Sequence, residues 1–195
     1  MYFLQLALFA LPVLATTGSR NTPKKHHSQK QSYAYKGPGQ YYIENQATGT
    51  TMDLYLGDAG PDTAITAYEP TKDNAHQIWQ VVAAAQYHQV LIINSATGAI
   101  ASCPSETNDD GLYQMKGGEV AIDGYSLFTL SINKDKSVQF KNVQDPNLCI
   151  DLQGPSDEDG TPIICYSCHP GEGKNQNWIM VPVPKVGDGD GELKL

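Results

Sequence analysis

The chain has 195 residues, which suits one globular domain with tails or two small domains. Only 17% of the residues are charged, and 18 glycines, 12 prolines and 11 tyrosines favour a turn-rich β protein over a helical one. The net charge of −8 argues against nucleic acid as a partner, and we expect no membrane span because no apolar run is long enough.

The two ends of the chain differ in composition from its middle. Residues 1–17 form an apolar stretch that ends in small residues, which predicts a secretory signal peptide and an extracellular protein. Residues 18–38 are basic and lack apolar periodicity, so we predict a disordered linker or a propeptide. Residues 184–195 are predicted to be a flexible acidic tail. Residues 39–183 remain as one folded domain.

Within this domain, short alternating or apolar runs are separated by Gly, Pro, Asp and Asn, a pattern typical of β-strands joined by turns. No stretch shows sustained helical periodicity. Twelve strands are predicted, in chain order 40–45, 51–56, 64–68, 76–82, 89–94, 99–103, 112–116, 126–132, 137–143, 148–152, 162–166 and 176–182.

The strands belong to a repeat. Two landmarks recur at intervals of 49 or 50 residues: an early position held by Asp53, Ser102 and Asp151, and a closing aromatic residue held by Trp79, Phe128 and Trp178. One such unit could not bury its apolar face alone, whereas three units closed on themselves leave no exposed sheet edge. The period therefore predicts an all-β, pseudo-threefold structure.

Residues 77–79 and 176–178 both read Gln-x-Trp near the end of a unit, and residues 149–152 read Cys-x-Asp-Leu at the opening of the third. With the repeat, these motifs resemble the ricin-B-type lectin domain, in particular that of secreted fungal lectins, over residues 39–183. The resemblance implies a β-trefoil of three repeats of about 49 residues. It also implies binding of terminal galactose or N-acetylgalactosamine, with no cofactor and no metal.

The resemblance assigns roles to four residues of the third unit. Asp151 would accept hydrogen bonds from two vicinal hydroxyls, and Tyr166 would stack on the apolar face of the sugar. Asn175 would donate to a hydroxyl, and Gln176 would orient Asp151. The chemistry is sound, since hydrogen bonds to a charged acceptor are strong and a rigid aromatic ring offers contact area at low entropic cost.

The first unit offers a second set: Asp53 as acceptor, Tyr68 as stacking ring, His76 in the donor position and Gln77 beside it. The second unit has Ser102 as its acceptor and no evident stacking aromatic, so we predict that its site is inactive. The alternative is that Asp53 and Asp151 are turn or cap residues. Tyr68 and Tyr166 would then be ordinary aromatic residues of their strands.

Four cysteines in a secreted chain indicate disulfides, and they allow three connectivities. The resemblance implies the pair Cys149–Cys168. Cys103 and Cys165 lie in different units, where their side chains should point into the core, so we expect buried thiols there.

An enzyme is not expected, because no nucleophile, zinc or phosphate-loop motif is present. Asp53 and Asp151 should lie beyond the ~9.5 Å limit of a glycosidase acid pair. Two alternatives stay open. One is a trefoil protease inhibitor that uses loop 154–160 or 105–111, and the other is an effector whose sugar sites have decayed. Expected partners are galactose-type glycans or glycoproteins, and a homodimer would raise avidity.

Overall fold

The computed structural model describes residues 34–84, 86, 88–118, 122–169 and 173–184. The predicted signal peptide, most of the predicted linker and almost all of the predicted acidic tail lie outside these residues. The described chain is all-β, with twelve strands: β1 Gly39–Asn45, β2 Thr51–Leu54, β3 Thr63–Tyr68, β4 Trp79–Ala83, β5 Gln89–Asn94, β6 Ile100–Ser102, β7 Lys116–Gly118, β8 Phe128–Ile132, β9 Val138–Asn142, β10 Leu148–Leu152, β11 Thr161–Ser167 and β12 Trp178–Pro182.

Six of the strands close into a barrel, because each pairs antiparallel with its neighbour around a complete ring. The ring runs β1–β4–β5–β8–β9–β12 and returns to β1. The other six strands form the hairpins β2–β3, β6–β7 and β10–β11. The hairpins are joined where β3 pairs with β7 and with β11. A closed barrel with joined hairpins is the β-trefoil-like architecture that the resemblance implies.

Two tryptophans link the barrel to the hairpins. Trp79 begins β4 and Trp178 begins β12, and both side chains are fully buried in the core. The Trp79 indole N–H donates to the Met52 carbonyl at 2.9 Å, and the Trp178 indole N–H donates to the Ile150 carbonyl at 3.1 Å. Met52 and Ile150 directly precede the predicted acceptors Asp53 and Asp151. Each indole bond therefore holds the strand that carries one of these aspartates. Phe128 takes the corresponding buried place at the start of β8.

Several predicted strand bounds are wrong. β2 stops at Leu54 because Tyr55–Gly57 form a 3-10 turn. β4 and β12 begin at their tryptophans because Ala75–Gln77 and Lys174–Gln176 are also 3-10 turns. The strand expected over 112–116 is instead Lys116–Gly118. These single turns are the helical elements of the described residues, and none of them is long enough to cross a membrane.

The structure corrects one prediction about the cysteines. Cys149 and Cys168 form the disulfide that the resemblance implies, but Cys103 and Cys165 form a second disulfide and are not free thiols. The segment before β7 packs on β11, where the Cys165 N–H donates to the Tyr113 carbonyl at 2.8 Å. This packing brings the Cα atoms of Cys103 and Cys165 within 5.8 Å, a separation that a disulfide can span.

Candidate functional site

The Asp151 site comprises Asp151, Tyr166, Asn175 and Gln176. Asp151 lies on β10 and is only 3% exposed. Asn175 and Gln176 lie in the 3-10 turn that leads into β12. The Asn175 amide donates to Asp151 Oδ1 at 2.9 Å, and the Gln176 amide donates to Oδ2 at 2.8 Å. Each carboxylate oxygen therefore has one fixed donor and keeps capacity to accept another hydrogen bond.

Both the nitrogen and the oxygen of the Gln176 side-chain amide form further hydrogen bonds. Its Nε2 also donates to the Ser167 carbonyl at 2.8 Å, and its Oε1 accepts the His169 N–H at 2.7 Å. Gln139 of β9 donates to the same oxygen at 3.3 Å. Because these bonds orient the amide, Gln176 presents its N–H group to Asp151 in a fixed direction. A ligand that contacts Asp151 would meet a rigid acceptor.

Tyr166 lies beside the carboxylate on the neighbouring strand. Asp151 pairs with Ile164 of β11, and alternation along the strand places Tyr166 on the same face as Ile164. The Tyr166 side chain is 52% exposed, and its ring centroid lies 5.9 Å from that of His169 at a tilt of 46°. The register therefore places an exposed ring on the sheet face that carries the buried acceptor, and the stacking role of Tyr166 stays a prediction.

Burial raises the pKa of Asp151, while hydrogen bonds from Gln176 and Asn175 and the nearby His169 imidazole act to lower it. Desolvation is the largest of these effects. Asn175 differs in detail from its predicted role, because its amide N–H groups already point to Asp151 and, at 3.4 Å, to the Leu152 carbonyl. In this geometry Asn175 helps Gln176 to orient the carboxylate.

The Asp53 cleft is a depression of about 340 Å³ that contains the four residues predicted for the first unit. Asp53 lies on β2 and is 5% exposed, and Tyr68 ends the paired strand β3. Gln77 is buried: its Nε2 donates to the Glu69 carbonyl at 3.1 Å, and its Oε1 accepts the Thr71 N–H at 2.8 Å. Gln77 lies in the cleft with Asp53 and acts to lower the pKa of that carboxylate, which burial raises.

His76 forms one wall of the Asp53 cleft. The Asn74 side chain accepts the His76 N–H at 3.1 Å and caps the turn, while Gly57, at φ 63°, lies so close to the imidazole that a Cβ there would overlap it. Burial raises the pKa of Asp53, and so does the charge of Asp159, whereas the Gln77 hydrogen bond and the His76 charge lower it. His76 therefore faces the carboxylate as an electrostatic partner.

In the second unit, Ser102 stands at the position that Asp53 and Asp151 hold in the other two units, so no carboxylate is present there. A shallow depression of about 190 Å³ is found here, with Asp123 and Tyr125 on its rim. The Ser102 hydroxyl donates to the Lys116 carbonyl at 3.4 Å. Asp123 accepts the N–H groups of Tyr125 and Ser126, so its carboxylate closes a turn. The expected inactivity of this position stays a prediction.

Sequence reasoning missed part of the Asp53 cleft. Leu56, Glu69 and Asp159 also line it, and Asp159 comes from the loop between β10 and β11. No local signal could have assigned Asp159, because its contact residue Glu69 lies 90 positions away. The carboxylates and imidazoles of the described residues form no group of three that could hold a metal ion.

The closed barrel and its joined hairpins define a β-trefoil-like fold. Residues 75–166, somewhat less than half of the chain, match the family model of the ricin-type β-trefoil lectin domain-like family. The match confirms the resemblance seen in the sequence motifs. A search of curated protein sequences found no match.

Solved structures share the fold at low sequence identity. The Rhizoctonia solani agglutinin has a TM-score of 0.66 and 23% identity, covering 76% of this chain and 98% of its own. The Macrolepiota procera ricin B-like lectin in complex with lactose has a TM-score of 0.62 and 18% identity, covering 76% and 99%. The C-half of the earthworm R-type lectin in complex with GalNAc has a TM-score of 0.57 and 18% identity, covering 74% and 98%.

Proposed function

We propose that this protein is a secreted lectin that binds terminal galactose or N-acetylgalactosamine at the Asp151 site and in the Asp53 cleft. The observation that carries the proposal is a buried aspartate, oriented by a buried glutamine, next to a tyrosine on the paired strand. A buried aspartate, a buried glutamine and a tyrosine on the paired strand also lie together in the Asp53 cleft. The neighbours crystallised with lactose and GalNAc support the choice of sugar.

The two sites are best explained by three repeats of about 49 residues. Asp53 and Asp151 occupy equivalent places in the first and third units, and Ser102 takes that place in the second. Residues 39–183 then form the lectin domain. Residues 1–17 would direct secretion, which accords with two disulfides in the domain.

The mechanism is non-covalent binding. In the Asp151 site the two carboxylate oxygens accept hydrogen bonds from adjacent sugar hydroxyls, while Gln176 and Asn175 keep the carboxylate in place. Tyr166 covers the C–H face of the ring, because its exposed surface offers apolar contact at small entropic cost. A single shallow site of this kind should bind a monosaccharide near millimolar, or about −4 kcal/mol.

The Asp53 cleft would work in the same way with Tyr68 as the stacking ring and His76 near the carboxylate. Its volume of about 340 Å³ lies within the range of small-molecule sites. Two working sites on one chain, or a homodimer, would strengthen binding to a multivalent glycoprotein. No catalytic step is part of this proposal.

The decisive experiment is a glycan array with the full chain, followed by titration with galactose. Because Asp151 is buried and its loss can unfold the protein, the main variants change tyrosines: Tyr166→Ala and Tyr68→Ala, each beside its Phe variant. Asp157→Ala, an exposed loop change, is the control.

We expect each Ala variant to lose one site, whereas each Phe variant and the control keep galactose binding. Both Ala changes together should abolish binding while the thermal melt stays cooperative. If the native protein binds no galactoside, or if the double Ala variant binds as tightly as the native protein, the proposal is wrong.

A further inference from the structure

The loop between β10 and β11 reaches the rim of the Asp53 cleft. Asp159 Oδ1 accepts the Glu69 N–H at 2.7 Å, and the Gly160 N–H donates to the Ala67 carbonyl at 2.8 Å. A Cβ on Gly160 would lie 3.7 Å from the Tyr68 hydroxyl, so the loop passes directly beside the predicted stacking ring. These contacts hold Asp159 at the edge of the cleft.

Asp159 adds a second negative charge to the space above Asp53. Burial is the main cause that raises the pKa of the Asp53 carboxylate, and the charge of Asp159 acts in the same direction. Asp159 is exposed, and its Oδ2 accepts no hydrogen bond from the described residues. Glu69 also lines the cleft, and the lining includes no lysine or arginine. The lining includes one imidazole, that of His76, which lowers the pKa of Asp53, whereas Asp159 raises it.

The carboxylates of the cleft are too dispersed for a metal ion, since no three acidic or histidine groups of the described residues form a ligand set. An ammonium group fits this arrangement better. Its N–H donors point in three directions, and separate acceptors can share them. A hexose with a free ammonium group would donate hydrogen bonds from its hydroxyls to Asp53 and form an ion pair with Asp159.

Among the described residues, no second acid acts on Asp151. Burial raises the pKa of Asp151, and the His169 imidazole lowers it, as the His76 imidazole does for Asp53. Lys174 begins the turn that carries Asn175 and Gln176. The Asp53 cleft is therefore distinguished by a second carboxylate, that of Asp159, on its lining.

We propose that the Asp53 cleft selects sugars with a free amino group over their neutral and acetylated counterparts, and that Asp159 sets this selectivity. The inference rests on the proposed function, because it assumes that the cleft binds a sugar through Asp53.

The test uses the full chain with Tyr166→Ala, which silences the Asp151 site at an exposed position. Galactose, galactosamine and N-acetylgalactosamine are titrated at one neutral pH, with binding followed by NMR. Asp159→Asn is made in this background, because the amide oxygen can still accept the Glu69 N–H and keep the loop in place. Asp157→Asn, two residues earlier in the same loop, is the matched control.

We expect galactosamine to bind about threefold to fivefold more tightly than galactose or N-acetylgalactosamine, the effect of one exposed ion pair. Asp159→Asn should bring the galactosamine-to-galactose affinity ratio to about one, high salt should do the same, and Asp157→Asn should leave the ratio as it was.

Equal affinities in the Tyr166→Ala protein, or a ratio that Asp159→Asn does not change, overturn the inference while galactose binding stands. If galactose itself does not bind to the Tyr166→Ala protein, the proposed function of the Asp53 cleft fails, and the inference fails with it.

Discussion

The disulfide between Cys103 and Cys165 should contribute more to stability than the one between Cys149 and Cys168. The first pair is 62 residues apart in the chain, and the second is 19 residues apart. A disulfide restricts the unfolded chain more when it closes a longer loop. The loop-entropy relation gives about 4.3 kcal/mol for the first pair and about 3.2 kcal/mol for the second. Either value is a large part of the stability of an ordinary domain.

The perturbation is the double substitution Cys103→Ala with Cys165→Ala. Both side chains are buried, at 3% and 1% exposure, so alanine removes the bridge and leaves only a small void. Urea unfolding of this variant is compared with that of the native protein and of the double variant Cys149→Ala with Cys168→Ala. Fluorescence of the two buried tryptophans reports the transition.

We expect both double variants to unfold at lower urea, with the larger loss of unfolding free energy for the pair Cys103 and Cys165. The reasoning is refuted if that loss is below about 1 kcal/mol, or if it is smaller than the loss caused by removing the shorter loop. Thiol titration of the unreduced protein unfolded in urea should find no free thiol, and two thiols there would refute the disulfide between Cys103 and Cys165.

Two further predictions concern pH and backbone conformation. Because the folded pKa values of Asp53 and Asp151 are raised, their contribution to stability is largest below the unfolded pKa and is lost as the pH rises through the folded value. Galactose binding needs the charged form, so titrations at successive pH values should show binding lost on acidification above the usual Asp range. Gly57→Ala should cost more in thermal unfolding than the about 1–2 kcal/mol of the left-handed backbone alone and weaken binding in the Asp53 cleft, because the His76 ring also opposes a Cβ there. Gly98→Ala, at φ 78° with open space around it, should show the backbone cost alone. Equal losses in the two glycine variants would contradict the role given to His76.

The local pattern of apolar runs and turn residues was sufficient to predict where most strands lie. β5 and β10 begin and end where the sequence predicts, because each is an apolar run between turn residues. The strand predicted at 112–116 failed because residues before β7 bond to β11: the Met115 N–H donates to the Ile163 carbonyl at 2.8 Å. This hydrogen bond depends on a strand that is distant in the chain, so the local pattern of apolar and polar residues does not predict it.

The sequence by itself determined the all-β character, the recurring landmarks, and the aspartates, tyrosines and glutamines that the fold brings together in the two sites. Those features depend on alternation, turn chemistry and spacing, which are local or periodic. Only the tertiary structure decided the disulfide between Cys103 and Cys165 and the presence of Asp159 beside Tyr68. Both contacts arise where β11 and its loop pack on other hairpins, at separations of 62 and about 90 residues. Contacts between residues so far apart in the chain depend on how the whole barrel and its hairpins pack. Local sequence preferences do not determine that packing.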